Sequence, residues 1–200
     1  MTFWDKVAGI YDLAELLNGK AYRNLVATTE KLIPEGALVL DVAAGTGELS
    51  FAAAKNASLV TTTDLSVKML EIAQKKAKKN KVKNIIFGVR DIFDLKDADE
   101  TYDVVIAGNV LHLIDNPQKA VEELWRVTKK GGRLLLPTFM NCKRHFLIRI
   151  YMKLGFNPKS DYNSESYLRM LAGCNKGRLK SKKIKGLIDI CYAVIEKPLT

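Results

Sequence analysis

The sequence between residues 39 and 47 reads Val39-Leu40-Asp41-Val42-Ala43-Ala44-Gly45-Thr46-Gly47, a short apolar run followed by a glycine-containing turn. Apolar runs of this length are typical of strands that are buried on both faces of a parallel sheet. The pattern from Gly47 to Lys55 predicts a helix after the turn. Because open α/β sheets bind ligands at the carboxyl ends of their strands, we expect a ligand beside this turn.

Outward from this stretch, apolar runs alternate with helical patterns. Strands are predicted at Ala37–Val42, Leu59–Thr63, Ile85–Val89, Tyr102–Ala107 and Arg133–Pro137. Two further helices are predicted at Ser66–Lys79, with Ser66 as its cap, and at Pro117–Thr128, capped by Asp115 or Asn116. We expect Lys130-Gly131-Gly132 to end the last helix, with a glycine in a left-handed turn. The alternation predicts a Rossmann-like, doubly wound α/β fold with helices on both faces.

The last forty residues break this alternation. Segments 177–185 and 188–196 are strand-like and have no helix-length connection, so they predict an antiparallel hairpin. The sheet then has seven strands and is mostly parallel. Since the chain shows no internal repeat and no low-complexity linker, we expect residues 1–200 to form one domain. Within it, we expect an N-terminal helical cap at 1–32 and a helical insert at 139–173 that shapes the substrate site.

Composition narrows the class of protein. No apolar run approaches the ~18 residues needed to cross a bilayer, and the sequence from Met1 to Lys6 does not resemble a signal peptide. The three cysteines, Cys142, Cys174 and Cys191, form no pair and no metal-ligand spacing, which favours reduced thiols in the cytoplasm and no metal site.

The net charge of +10 is concentrated in two clusters, at Lys75–Lys83 and Lys176–Lys185. Such surfaces can attract nucleic acid, anionic lipid or an acidic substrate, or they are simply solvated faces, the usual fate of charge runs. No aromatic residues interleave with either cluster, which argues against a platform for single-stranded nucleic acid.

A carboxylate on the second strand identifies the kind of ligand. Asp64 follows Gly47 by 17 residues, where it can accept hydrogen bonds from both hydroxyls of a ribose. Ser50 stands where the dinucleotide pattern has its third glycine. Asp41 would repel a pyrophosphate but attract an ammonium or sulfonium group. The sequence therefore predicts a nucleoside ligand that carries a positive charge.

The motifs around this turn resemble those of class I S-adenosylmethionine-dependent methyltransferases. The first motif is Val39–Gly47, and the others are Thr63–Ser66 with Met69-Leu70, Arg90–Ile92, Gly108–His112 and Lys130–Leu134. Within the family, Phe3–Ala8 with Tyr11-Asp12 looks closest to the ubiquinone/menaquinone methyltransferase branch. The chain differs from that branch in being shorter and in having Ala44 where another glycine is common.

The resemblance implies S-adenosylmethionine as the cofactor and assigns a role to each matching residue. The Gly45-Thr46-Gly47 loop with Asp41 and Ala43 would pass under the amino-acid portion, and Asn109 would line its methionine side. Asp64 would hold the ribose. The adenine would meet Leu65, Met69, Asp91 and the backbone amide of Ile92. Alternatively, Leu65 and Met69 are plain core residues and Asp91 caps a short turn.

Methyl transfer from a sulfonium needs orientation and a dry site more than acid–base chemistry. His112, just beyond the fourth strand, is the one candidate general base near the expected site, or else a packing residue. Tyr11 and Tyr22 could cover the pocket as a lid or pack an amphipathic helix.

The acceptor is expected to be a small or lipid-like molecule, with a quinol as one example. The apolar stretch Phe146–Phe156, interrupted by basic residues, could touch a membrane surface or form a buried helix. Three alternatives remain open: a nicotinamide-dependent reductase, a nucleic-acid-directed methyltransferase and a regulator that binds the cofactor without turnover. The second fits the charge, yet Asn109–His112 differs from the Asn-Pro-Pro-aromatic element that such enzymes use on bases. The oligomeric state is left open.

Overall fold

Twelve regular elements lie in the part of the chain that the computed structural model describes, residues 18–141, 149, 152, 157–174 and 177–200. The strands are β1 Leu38–Val42, β2 Leu59–Asp64, β3 Ile85–Val89, β4 Tyr102–Ile106, β5 Thr128–Phe139, β6 Arg178–Ile184 and β7 Ile190–Glu196. The helices are α1 Gly19–Leu32, α2 Glu48–Ala54, α3 Val67–Lys79, α4 Pro117–Val127 and α5 Ser164–Gly173. None of the described helices combines the length and apolarity that a bilayer span requires.

The strands form one sheet in the order β3-β2-β1-β4-β5-β7-β6. Strands β1 to β5 pair in parallel, whereas β7 runs antiparallel to both β5 and β6. The predicted seven-stranded sheet with an antiparallel hairpin is therefore confirmed. Since β1 lies between β2 and β4, the strand order reverses beside β1, and this reversal opens a crevice at the carboxyl ends of these strands.

Alternate residues of the central strands bury on opposite faces of the sheet, and helices cover both. Leu40 and Val105 pack in a cluster with α4 and α5, whereas Val39 and Val104 pack in a second cluster with α1 and α2. This explains why the strands are apolar at nearly every position rather than alternating. The expected arrangement of helices on both faces is confirmed.

The junction of α4 and β5 differs from the prediction. The helix begins as expected, with Asn116 accepting from the amide of Lys119, but it ends at Val127 and β5 starts at Thr128. Thr128 pairs with Tyr102 before the register shifts, and its hydroxyl donates to the Leu124 carbonyl at 2.7 Å. Gly131 (φ +74°) therefore does not end the helix but forms the irregularity within β5. Strand pairing that begins at Thr128 therefore ends the helix before the chain reaches the glycine that was expected to end it.

We expect Gly132→Ala to lower the free energy of unfolding by about 1–3 kcal/mol, the usual cost of overpacking. A Cβ at this position would lie 2.8 Å from the Asp103 carbonyl oxygen and 2.9 Å from that of Lys129, and backbone atoms of a paired strand cannot yield. Gly173→Ala is the matched control, because a Cβ there meets nothing within 4 Å. Urea unfolding of both variants measures the difference, and equal stabilities would contradict the packing argument.

The predicted cap and insert are described in part. Helix α1 lies within 1–32 and α5 within 139–173. Residues 1–17, with Tyr11 and the Phe3–Ala8 motif, lie outside the described residues, as do Cys142 and most of Phe146–Phe156.

Candidate active site

The turn after β1 is built from left-handed backbone. Ala43, Gly45 and Gly47 have φ values of +53°, +57° and +88°. Gly47 caps α2, and a Cβ there would also lie 3.2 Å from the Cβ of Ala73. A left-handed alanine costs free energy and tends to occur where function requires the conformation. The turn lies at the edge of the crevice, and its residues Ala43 and Gly45 line the large cavity there.

Asp64 joins this turn to the one after β2. Its Oδ2 accepts from the Gly45 amide at 2.9 Å, and its Oδ1 accepts from the Ser66 amide at 2.8 Å. Ser66 in turn caps α3 by accepting from the Met69 amide. A carboxylate oxygen has two lone pairs and can accept more than one hydrogen bond, so a carboxylate at this place is chemically suited to the hydroxyls of a ligand. The Asp64 carboxylate is thus held from two sides by backbone amides.

Two adjoining cavities open at the carboxyl ends of β1 to β4. The large cavity, about 240 Å³, is lined by Ala43, Gly45, Asp64, Leu65, Met69, Arg90, Asp91, Ile92, Phe93, Gly108, Asn109, Val110, Leu113 and Ile114. The small cavity, about 30 Å³, is lined by Tyr22, Leu25, Asp41, Ala43, Ala44, Thr46, Glu48, Leu49, Gly108 and Asn109. The small cavity has room for a group the size of one or two waters. The shared residues place both cavities along one ligand path.

Asp41 presents a buried carboxylate to the small cavity, with only 1% of the residue exposed. Its Oδ2 accepts from the Ser50 hydroxyl at 2.6 Å, while its Oδ1 has no hydrogen-bond partner among the described residues. Burial raises the pKa of Asp41 to about 7, against the lowering effect of the Ser50 hydrogen bond. A buried acceptor without a donor is costly, so this oxygen is suited to a donor supplied by a ligand.

Asn109 presents a second acceptor of the same kind. Its Oδ1 is buried and has no partner within the described part of the chain. The backbone is left-handed (φ +55°) and is fixed by the amide, which donates to the Pro137 carbonyl at 2.8 Å. Two buried acceptors that have no partner in the described residues, one of them able to carry negative charge, therefore belong to residues that line the small cavity. This arrangement fits the ammonium end of an amino acid.

The predicted adenine contacts lie around the large cavity. Leu65 is 60% exposed there, so it is not a core residue, whereas Met69 is buried at 2%. Asp91 does cap a short turn, since its Oδ1 accepts from the Phe93 amide at 3.0 Å, and it also lines the cavity. Ile92 is buried beside it. The two cavities are thus lined by ten of the predicted residues: Asp41, Ala43, Gly45, Thr46, Asp64, Leu65, Met69, Asp91, Ile92 and Asn109. Gly47 lines neither cavity and instead caps α2.

His112 lies behind this set. Its ring is buried at 2% exposure, with Nδ1 2.8 Å from the Thr138 hydroxyl, and it does not line either cavity among the described residues. Burial lowers the pKa of His112 to about 4, partly offset by the nearby Asp161 charge. The imidazole is therefore neutral at pH 7.

Several site residues were not predicted from the sequence. Tyr22 and Leu25 of α1 reach the small cavity, so Tyr22 does contribute to its lining, as one of the two alternatives for that residue supposes. Phe93, Val110, Leu113 and Ile114 form an apolar wall of the large cavity. Ser50 and Thr62 stand behind Asp41. The short apolar segment that follows Asn109 in the sequence could have predicted this apolar wall. No group of three potential metal ligands occurs in the described ranges.

Comparison with known proteins agrees with this geometry. Residues 33–187 match the family described as "Methyltransferase domain". The ubiquinone/menaquinone biosynthesis C-methyltransferase of Zymomonas mobilis subsp. mobilis is 29% identical, with 82% of this chain aligned to 72% of that protein. The demethylmenaquinone methyltransferase of Clavibacter sepedonicus is 35% identical over 68% of this chain and 56% of its own length. The chain thus spans less than two thirds of this second relative.

The fold is also shared with solved structures. A SAM-dependent methyltransferase from Aquifex aeolicus superposes with a TM-score of 0.73 at 22% identity, covering 96% of this chain and 98% of that one. The fold, the site geometry and the family match over most of the chain agree. This chain belongs to the class I S-adenosylmethionine-dependent methyltransferases.

Proposed function

We propose that this protein transfers the methyl group of S-adenosylmethionine to a small quinone-type acceptor. The observation that carries the cofactor part is the pair of buried, unpaired acceptors, Asp41 Oδ1 and Asn109 Oδ1, at the small cavity. The quinone-type acceptor is supported by the names of the relatives, ubiquinone/menaquinone and demethylmenaquinone methyltransferases.

In this proposal each residue acts on one part of the cofactor. Asp41 and Asn109 accept from its ammonium, and the left-handed turn at Ala43 and Gly45 lets backbone approach its amino-acid portion. Asp64 accepts from the ribose hydroxyls. Leu65, Met69, Asp91 and Ile92 hold the adenine in the large cavity, with Gly47 and Thr46 keeping the turn closed. When bound, S-adenosylmethionine supplies an electrophilic methyl group on a sulfonium.

The acceptor side follows from the apolar character of the crevice. Val110, Leu113 and Ile114, which the adenine assignment does not use, give the same cavity an apolar wall, and we propose that a lipophilic acceptor ring packs against this wall beside the bound cofactor. We propose one domain for residues 1–200, in which the cap and insert complete the acceptor pocket. A cytoplasmic location with peripheral contact to anionic lipid fits the basic clusters, whereas nucleic acid is a less suitable partner because aromatic stacking residues do not interleave with them.

His112 remains the candidate general base for an acceptor that must lose a proton. A group with a pKa of about 4 accepts protons weakly at pH 7, so substrate binding would have to raise that pKa. We expect His112→Gln to lower kcat by about 100-fold, an effect typical of the loss of a general base. Unchanged S-adenosylhomocysteine binding would be the control, and an unchanged kcat would remove the role.

The test is calorimetric titration with S-adenosylmethionine, S-adenosylhomocysteine and NADH, followed by a methyl-transfer assay on a demethylated quinol. Micromolar binding of the first two ligands without NADH binding, together with transfer to the quinol, is the expected result. Cofactor binding without transfer would overturn the acceptor class while sparing the cofactor site. Binding of NADH alone would overturn the proposal.

A further inference from the structure

Three buried side chains form a hydrogen-bonded chain behind the small cavity. Thr62 on β2 donates from Oγ1 to the Ser50 Oγ at 2.9 Å, and Ser50 on α2 donates to Asp41 Oδ2 at 2.6 Å. Thr62 and Ser50 are fully buried, and Asp41 at the end of β1 is 1% exposed. The chain crosses three elements and ends at the carboxylate that faces the ligand path. We call it the Thr62–Ser50–Asp41 relay.

The direction of the relay is fixed by the hydroxyl hydrogens. A serine hydroxyl has one hydrogen to donate and can also accept. Because Asp41 Oδ2 at 2.6 Å can only accept when ionised, the Ser50 hydrogen is committed to it, and Thr62 supplies the hydrogen that Ser50 accepts. The relay therefore holds Oδ2 inward. It leaves Oδ1 as the oxygen without a partner in the described part of the chain.

The charges around Asp41 oppose its ionisation. Burial is the largest effect and raises the pKa of Asp41, and the nearby carboxylate of Asp64 raises it further. Tyr192 on β7 lies close enough to Asp41 for the two side chains to interact electrostatically. Glu48, which lines the same cavity, is paired with Lys76 at 2.8 Å. Against these, the Ser50 hydrogen bond is the largest effect that lowers the pKa of Asp41.

We propose that Ser50, oriented by Thr62, is a positioning residue that keeps Asp41 ionised with Oδ1 turned toward the ammonium group of the cofactor. This inference rests on the proposed function. It also explains why Ser50 occupies the position where the dinucleotide pattern has its third glycine. A glycine at position 50 would have no hydroxyl to donate, so serine there suits a cationic ligand and glycine does not.

The test compares wild-type protein with Ser50→Ala at pH 7 and pH 9, using S-adenosylhomocysteine as the calorimetric probe. Loss of a hydrogen bond to a charged group is expected to raise the midpoint of Asp41 ionisation by about one pH unit. From a wild-type pKa of about 7, affinity at pH 7 should fall about fivefold, whereas at pH 9 the two proteins should bind almost equally, because both are then ionised. A purely structural defect would weaken binding at both pH values.

Thr63→Val is the matched control. Thr63 is also buried on β2 and its hydroxyl donates to Asp41, but to the backbone carbonyl at 3.2 Å rather than to the carboxylate. The control removes a buried hydroxyl from the same neighbourhood without touching the relay. We expect it to leave the pH dependence of binding unchanged, and an equal shift in Thr63→Val would overturn the proposal.

A ligand-free measurement separates the relay from the proposed function. Carbon-13 NMR of the Asp41 carboxyl carbon reports its ionisation midpoint in wild type and in Ser50→Ala without any cofactor. A higher midpoint in the variant supports the relay even if S-adenosylhomocysteine fails to bind, a failure that would count against the cofactor site alone. Equal midpoints would overturn the relay whatever the binding result, and circular dichroism checks that each variant is folded.

Discussion

Asp64→Asn is expected to weaken S-adenosylhomocysteine binding by about 100-fold or more, the largest single effect at this site. Charge-assisted hydrogen bonds contribute roughly 1.5–3 kcal/mol each, and in the proposed function the carboxylate accepts two from a ribose. The amide also presents an NH₂ group to one of the two backbone amides, Gly45 or Ser66, that now donate to Asp64. The variant therefore loses ligand contacts and loosens the turn.

Calorimetric titration measures this loss, and Asp94→Asn is its control. Asp94 lies in the turn after β3 and is exposed, and its ion-pair partner is Lys96 at 2.6 Å. The Asp94→Asn substitution therefore removes one negative charge from the same region without removing a ligand contact. A dissociation constant for Asp64→Asn within threefold of wild type would contradict the ribose role. Thermal unfolding without ligand shows how much of the loss comes from the loosened turn.

The second large effect is a rise in affinity with pH. Asp41 has a pKa of about 7 in the ligand-free protein, and only its ionised form attracts an ammonium group. Affinity for S-adenosylhomocysteine should therefore increase about tenfold between pH 6 and pH 8, with nearly one proton released per ligand at pH 6 and almost none at pH 8. Titrations in buffers of different ionisation enthalpy measure this release directly.

Asp41→Asn separates the contribution of the Asp41 carboxylate to the pH dependence of affinity from the contribution of the ligand's own amino group. The variant should bind about 10–100-fold more weakly at pH 8, since a charged hydrogen bond is lost, and its affinity should lose the tenfold pH dependence. If the variant keeps the wild-type pH profile, Asp41 is not the group that titrates.

The same carboxylate sets the pH dependence of stability. Its pKa is raised in the folded protein, from 3.8 to about 7. The folded state therefore holds a proton that the unfolded chain has already released, and stability falls as pH rises from about 4 to 7. The full difference is on the order of 4 kcal/mol. Ligand-free Asp41→Asn should accordingly unfold at a higher temperature than wild type at pH 8, although it binds worse.

The sequence was a good guide where function depends on spacing along the chain. Asp41 and Asp64 lie near the carboxyl ends of two adjacent parallel strands, and the turn to Gly47 follows the first of them. Parallel strands bring their carboxyl ends to one edge of the sheet. Their meeting at one crevice was therefore predictable from strand order alone. Asp91 was predicted as an adenine contact, with the cap of a short turn as the alternative, and the structure shows that it both caps a turn and lines the cavity.

What the sequence could not supply depends on packing between distant segments. The contact of Leu25 with the small cavity requires α1 to lie across the crevice, which no local pattern encodes. The hydrogen bond from Ser50 to Asp41 depends on a rotamer inside a closed core. Thr128 was predicted as helix because its strand partner, Tyr102, is 26 residues away. In each case tertiary contact decided the outcome.

The position of β7 has a consequence for how the chain folds. It is the last of the described strands along the chain, yet it lies between β5 and β6 and supplies the only strand neighbour that β6 has in the described sheet. Until β7 emerges from the ribosome, β5 leaves unpaired the seven residues from Arg133 to Phe139 that β7 later pairs with, and β6 lacks its strand partner in the described sheet. Unpaired edges promote association with other chains. Synthesis of β7 is thus the step that covers the open edge of β5 and lowers the tendency of the nascent chain to associate with other chains.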